Sequence, residues 1–239
     1  MRTRLCFEIS RRLMAQPMRR TIDCREYGTW RHQSLSQSWK AFSDLHVDNK
    51  IVLDFGCGDG QMAFFIATQK KPKAVVGVDI DEEAIQRCIS VAKWTELPQH
   101  IELRFVKGDV VGLPFPEKMF DTLLAFDCLE HVLSPNSILK EWFRVLKPGG
   151  RCLIEWFPFK GPWGPHMESL IPIPWAHVIF SERTLFRTAE KIYELPNFVP
   201  RTWDLDANGQ KKPNKWRAWS SFKEQGYINE LDLKTFKKL

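Results

Sequence analysis

Residues 51–60 read IVLDFGCGDG: an apolar run that ends in Asp54, followed by Gly56, Gly58 and Gly60 at alternate positions. The run predicts a buried parallel strand whose tip turns sharply into a helix. Alternate glycines permit turns that a Cβ would obstruct and let a ligand lie against the main chain. The next segment, QMAFFIATQ, is apolar at helical spacing and runs into the basic KKPK, so its N-terminus faces the glycine loop. A glycine loop alone is weak evidence of function. Its weight comes from VVGVDID at 75–81, a second strand ending in Asp79, where a carboxylate can meet a ribose diol.

Outward from this pair the pattern repeats. DEEAIQRCISVAKWTEL (81–97) reads as a helix opened by acids at its positive end, with Ala84, Ile85, Cys88, Ile89 and Ala92 as its apolar stripe. IELRFVKGD (101–109) is a third strand ending in Gly108 and Asp109, and FDTLLAFD (120–127) a fourth ending in Asp127. NSILKEWFRVLKPGG (136–150) predicts an amphipathic helix capped by its glycines, and RCLIEWF (151–157) a fifth strand. Repeated βα units imply an α/β fold, a doubly wound and mostly parallel sheet with helices on both faces. Ligands of such sheets lie beyond the carboxyl ends of the strands, where Asp54, Asp79, Asp109 and Asp127 all fall.

Composition bounds the rest. A chain of 239 residues with 44% hydrophobic content can bury one large core with an added cap. Six dispersed cysteines, without CxxC or clustering with histidine, argue for reduced thiols in a cytoplasmic protein, with neither a disulfide framework nor a metal site. No run approaches the roughly 18 apolar residues of a membrane span. The net charge of +6 is scattered outside the N-terminus, unlike the basic, aromatic-interleaved stripe of a nucleic-acid binder. In the first twenty residues six arginines face one acid, Glu8, which reads as a basic surface segment or as an organelle transit peptide.

The motifs DFGCGDG, VVGVDID, GDVVGLPFPEKMFD, AFDCLEHV and LKPGG, in this order and spacing, resemble the class I S-adenosylmethionine-dependent methyltransferases. The resemblance is to the small-molecule group with the type 11 methyltransferase domain and covers about residues 50–157. It implies a Rossmann-like sheet and S-adenosyl-L-methionine as cofactor, with S-adenosyl-L-homocysteine as product. By the same resemblance Asp54, Phe55, Gly56, Cys57 and Gly58 pass under the methionine part, Asp79 grips the ribose hydroxyls and Ile80 packs on adenine. Gly108 and Asp109 meet the adenine amino group with Val110 beside the ring, and Phe126, Asp127 and Cys128 border the methionine moiety and the transferable methyl. Physical chemistry supports Asp79 most strongly, because two adjacent hydroxyls can donate together to one carboxylate. Asp54 can equally be a cap of the glycine turn, Asp109 a solvated turn residue, and Cys57 a small packing residue.

Methyl transfer from a sulfonium is an in-line displacement, so alignment supplies much of the acceleration. A base is needed only for an unactivated hydroxyl or a protonated nitrogen. His131, just after the fourth strand, is the first candidate, and a structural histidine at a helix start is the alternative; Glu130 is expected to face outward or cap that helix. Residues 158–180, PFKGPWGPHMESLIPIPWAHVIF, predict an ordered insertion in which Trp163, His166, Glu168, Trp175 and His177 form an aromatic-walled acceptor pocket, or else a lid or dimer surface. His166 and His177 are further base candidates. FSERTLFRTAEKIYE (180–194) predicts a helix with Ser181 as N-cap and Leu185, Phe186, Ala189 and Ile192 on one face. YINELDLKTFKKL (227–239) resembles the family helix that precedes a last antiparallel strand pair, with the sequence ending there. Before the first strand, Tyr27 and Arg31 are candidates for the cofactor carboxylate, while Trp39 and Phe42 read as one buried helical face.

The expected organisation is therefore a basic, helical segment over the cofactor (1–46), a methyltransferase core (47–157) and an irregular and helical substrate cap (158–239). The expected enzyme methylates an oxygen or nitrogen of a small metabolite, as a monomer or homodimer without nucleic-acid partners. Two other classes use similar loops: a nicotinamide-dependent oxidoreductase, whose GxGxxG differs from GCGDG here, and a non-catalytic protein that binds the same cofactor.

Overall fold

The computed structural model describes residues 1–14, 39, 45–109, 112–201, 204–206 and 208–239. These fall into two units, one within residues 28–156 and one combining the N-terminal helix with residues 157–238.

The first unit is a five-stranded sheet. Its strands are β1 (Ile51–Phe55), β2 (Ala74–Asp79), β3 (Glu102–Lys107), β4 (Phe120–Phe126) and β5 (Leu146–Glu155), in the order β3-β2-β1-β4-β5. All four strand pairs are parallel. Because the central strands are covered on both faces, they are apolar at nearly every position: Val52, Leu53, Val75, Leu123 and Leu124 are fully buried. The helix Gln61–Gln69 lays Ala63 and Ile66 on this core, and Glu82–Ala92 lays Ile85 and Cys88 on it. Each fully buried Val, Leu or Ile side chain stabilises the fold by roughly 1.5–3 kcal/mol. Asp81 starts the second of these helices, its Oδ1 accepting from the Glu83 and Ala84 amides at 2.9 and 3.2 Å. The helix Pro135–Val145 buries Ile138, Trp142 and Val145.

Three boundaries differ from the pattern-based expectation. The helix expected over 81–97 ends at Ala92, before Lys93-Trp94. The helix expected to run to the glycines of LKPGG stops at Val145, and Leu146 is already extended. Leu146–Gly150 instead open β5, whose pairing slips from Phe120↔Leu146 to Thr122↔Arg151. A bulge of this kind absorbs the extra residues, and Gly149, at φ +77°, provides a left-handed position within it.

The second unit is helical and irregular. The helix Arg2–Met14 packs on the helix Glu182–Tyr193, burying Cys6 and Ser10. The expected face of the second helix is buried throughout, at Leu185, Phe186, Ala189 and Ile192. Its N-cap position is Ser181, whose hydroxyl lies 3.1 Å from the Thr184 hydroxyl and caps no amide. Aromatic edges do the rest of the packing: Phe186 meets Phe222 at 5.3 Å, and Tyr193 meets Phe198 at 4.9 Å. The C-terminal helix suggested by the resemblance is a single turn, Leu233–Phe236. Among the described residues no helix is long and apolar enough to cross a membrane.

Candidate functional site

The strand order reverses between β1 and β4, and in open α/β sheets the crevice beyond that reversal is where ligands bind. The glycine loop leaves β1 at this point. Gly56, Gly58 and Gly60 have φ of +68°, +50° and +77°, in the left-handed region where a Cβ is strained. Space adds a second constraint at Gly56, where a Cβ would stand 2.6 Å from the Cβ of Cys128, just past the tip of β4. Gly58 is different: a Cβ there would meet nothing within 4 Å, so the loop presents open backbone on that side.

Backbone and carboxylate bonds hold the loop in place. The amides of Gly56 and Cys57 both donate to the Val78 carbonyl, at 2.9 and 3.1 Å. The Gly58 amide donates to Asp79 Oδ2 at 2.8 Å, and the Asp81 amide to Asp79 Oδ1 at 2.9 Å. Asp79 thus ties the loop to the end of β2 with one bond per oxygen, and each oxygen keeps acceptor capacity for a ligand hydroxyl. Ile80 beside it is 60% exposed, an apolar platform next to a polar anchor. The Gly108 amide donates to the Asp79 carbonyl at 2.8 Å, and a Cβ on Gly108 would stand 2.9 Å from Val78, so the third strand tip closes on the second. Asp109 is exposed at that tip.

At the end of β4, Phe126 and Cys128 are buried and Asp127 takes φ +49°, its amide donating to the Glu155 carbonyl at 2.8 Å. A non-glycine residue at positive φ is held there by its surroundings, as at many binding sites. The Cys128 thiol donates to the Phe55 carbonyl at 3.3 Å, and burial pushes its pKa well up. The hydrogen bond with Cys88, then burial, do the same to Cys57, so both thiols stay protonated and serve as packing groups. Asp54 is buried on β1. Glu130, expected to face outward or cap the helix, is buried at 1% exposure, because Leu129–His131 form a 3-10 turn that carries it inward. His131 ends that turn, partly buried, with its amide donating to the Cys128 carbonyl at 3.0 Å.

One contribution was not legible as part of the site. Arg144 donates to both Glu141 oxygens at 2.8 and 2.7 Å and to the Phe115 and Leu113 carbonyls at 2.8 and 3.0 Å, while the Leu113 amide donates to Glu141 at 2.8 Å. This clasp fixes the chain between β3 and β4, just after Asp109. The Arg144 hydrogen bonds hold the Glu141 carboxyl down at about 2. The i,i+3 spacing advertised the ion pair; nothing in the sequence advertised its loop partners.

In the second unit, Trp163, Glu168 and His177 line one crevice with apolar neighbours such as Met167 and Ile171. Its volume is about 10 Å³, room for a single water. Glu168 Oε2 and His177 Nε2 are buried with no hydrogen-bond partner among the described residues. Burial lowers the His177 pKa, opposed by the hydrogen bond of its ring to the Phe159 backbone. His166 and Trp175 are not part of this crevice: the His166 ring stands edge-on to Phe157 at 4.9 Å, and Trp175 is 49% exposed. Tyr27, Arg31, Phe42 and Val110 lie outside the described residues.

A parallel sheet with a left-handed glycine loop at its switch point and a carboxylate at the next strand tip defines a nucleotide-type binding fold. Residues 53–154 match the methyltransferase domain family. A sterol 24-C-methyltransferase of Pneumocystis carinii is 35% identical over 103 residues, which are 43% of this chain and 26% of that protein. A fatty-acid O-methyltransferase of Mycolicibacterium smegmatis is 35% identical over 107 residues, 45% of this chain and 37% of that protein. The fold also aligns with a crystal structure from Pyrococcus horikoshii at a TM-score of 0.50 and 29% identity, covering 63% of this chain and 67% of that one. Over residues 53–154 the chain is thus similar to class I S-adenosylmethionine-dependent methyltransferases. It spans between a quarter and two fifths of the length of the two curated relatives named.

Proposed function

We propose that the protein transfers the methyl group of S-adenosyl-L-methionine to an oxygen or nitrogen of a small metabolite. The observation that carries the reading is the Gly58–Asp79 arrangement, an open backbone edge beside a carboxylate with acceptor capacity to spare. These residues fit the cofactor: Asp79 for the ribose diol, Ile80 for the adenine face, Asp109 for the amino group, and the loop from Asp54 to Gly58 with Phe126, Asp127 and Cys128 for the methionine part. Gly108 holds the adenine end by its bond to Asp79, and Tyr27, Arg31 and Val110 are assigned to the same cofactor from the family pattern. When bound, the sulfonium supplies an activated methyl, and the protein's task is alignment and exclusion of water.

The acceptor is assigned to residues 158–239, with residues 1–46 covering the cofactor. Support for an oxygen or nitrogen nucleophile comes from the crevice of Trp163, Glu168 and His177. A neutral His177 whose other ring nitrogen bonds the Phe159 backbone offers a lone pair at Nε2, and Glu168 Oε2 offers another. These two buried acceptors belong to residues that line the crevice, and a buried acceptor is satisfied by a donor, which a hydroxyl or an amine provides and a carbon nucleophile does not. His131 is the first candidate for general base, with His166 and His177 behind it. Trp175 joins the acceptor site only if the turn that carries it repacks, since half of it faces water. The free thiols among the described residues suit a reducing cytoplasm.

Incubation with S-adenosylmethionine labelled in its methyl, against panels of hydroxylated, amino and carbon-acid metabolites, tests the reading. Label in an O- or N-methyl product supports it, and label confined to carbon contradicts the acceptor assignment. If His131→Ala, His166→Ala and His177→Ala each retain full activity, no histidine acts as base.

A further inference from the structure

Trp175, Val178 and Ile179 are 49%, 68% and 60% exposed on and beside the single turn Ala176–Ile179. That turn is firmly rooted. Ala176 and Phe180 are buried, the His177 ring lies 5.2 Å from that of Phe159, and the Trp175 amide donates to the Pro162 carbonyl at 2.8 Å. Trp175 itself is held at φ +56°, a left-handed conformation unfavourable for a bulky residue. The chain therefore spends strain to keep three large apolar side chains at the surface, which loose folding would not do.

The helix that follows this turn, Glu182–Tyr193, carries exposed cations. Arg183 and Arg187, a turn apart on the helix that follows, are exposed and form no ion pair among the described residues. Charge is also divided unevenly along the chain: residues 1–14 and 157–238 hold 17 Lys and Arg against 10 Asp and Glu, whereas residues 45–156 hold 13 against 16. A tryptophan with exposed aliphatic side chains on one turn and exposed arginines on the next helix are the parts of an interfacial anchor: indole at headgroup level, alkyl groups among acyl chains, guanidinium groups on phosphates. A second copy of the chain is disfavoured as occupant, because pairing this face with itself brings two cationic surfaces together.

We propose that the Trp175–Ile179 turn, with Arg183 and Arg187, docks the protein reversibly on an anionic lipid surface. The docking does not require methyl transfer, although the same turn carries Trp175 and His177 of the proposed acceptor region. Co-sedimentation with vesicles of phosphatidylcholine alone, and of phosphatidylcholine mixed with phosphatidylglycerol, tests it at low and high salt. The protein should partition at least about tenfold more onto the mixed vesicles, and lose that preference in high salt. Val178→Ser with Ile179→Ser should lower partitioning about tenfold at an unchanged melting temperature. Arg183→Gln with Arg187→Gln should lower it roughly fivefold per arginine on the mixed vesicles alone. Should either double variant unfold, the unaltered protein still decides: its tryptophan emission should be quenched by vesicles with brominated acyl chains. Absence of quenching and of anionic preference overturns the proposal, as do folded variants that bind like the parent. So does a dimer that Val178→Ser with Ile179→Ser dissolves in a protein that ignores vesicles.

Discussion

In residues 45–156 the candidate side chains stand at or just past strand tips and are fixed by backbone: Gly58 and Asp81 to Asp79, Gly108 to the same residue, Gly56 against Cys128. In residues 157–238 the candidates ride on turns held by aromatic edges, and the crevice lined by Trp163, Glu168 and His177 admits a single water. The contrast separates the proposed donor site, whose loop is already braced, from the proposed acceptor region, which offers polar groups and little volume. A rigid sheet edge makes positions predictable, while the turn-rich residues 157–238 do not.

The largest effect is expected at the switch point. Gly56→Ala combines positive φ with a 2.6 Å clash, so it should destabilise the fold by about 3 kcal/mol and abolish cofactor binding. Gly149→Ala has a similar φ with open space around it, and should cost only ~1–2 kcal/mol and leave binding intact. Equal losses in thermal melts of the two would break the claim that the loop is constrained by Cys128. Next comes Asp79→Ala, which should weaken S-adenosylmethionine binding by about 1.5–3 kcal/mol and also lower stability, since the Gly58 amide of the loop and the Asp81 amide after β2 lose their acceptor. A binding loss with no change in melting would mean that Asp79 meets the ligand but does not brace the loop.

Acid titration divides the two units further. Glu141 is held at about 2 against an ordinary 4.5, so its stabilisation is complete above about pH 4.5 and is lost as pH falls toward 2. Glu141→Gln should flatten that limb by no more than about 2 kcal/mol, after screening of a partly exposed pair. The smallest effect belongs to His177. Its folded-state pKa lies below the ordinary 6.5, so its contribution is present above pH 6.5 and is lost as pH drops below it. His177→Gln should remove that earlier slope and leave the Glu141 limb untouched. A single shared slope in urea melts across this range would contradict the separation.

Most of the sheet was legible because periodicity and glycine chemistry act locally: IVLDFGCGDG and VVGVDID carry their strands, turns and carboxylate in consecutive residues. The errors there came from longer-range pairing. LKPGG reads as a helix cap, yet pairing with Phe120 draws Leu146 into β5 and turns the glycines into a bulge. Glu130 reads as a surface acid, yet the 3-10 turn after β4 buries it. The clasp of Arg144 on Leu113 and Phe115 was invisible because its acceptors are carbonyls 31 and 29 residues away, and carbonyls have no sequence signature. In 158–180 the prolines and aromatics foretold an irregular insertion but not which of them face inward. His177 and Trp175, two residues apart, point to opposite fates.

Calorimetric titration of the intact protein with S-adenosylmethionine, S-adenosylhomocysteine and NAD tests the donor site most directly. Saturable binding of the first two, lost in Gly56→Ala and weakened in Asp79→Ala, is the predicted result. Binding of NAD alone, or tight adenosylmethionine binding indifferent to both substitutions, would contradict it.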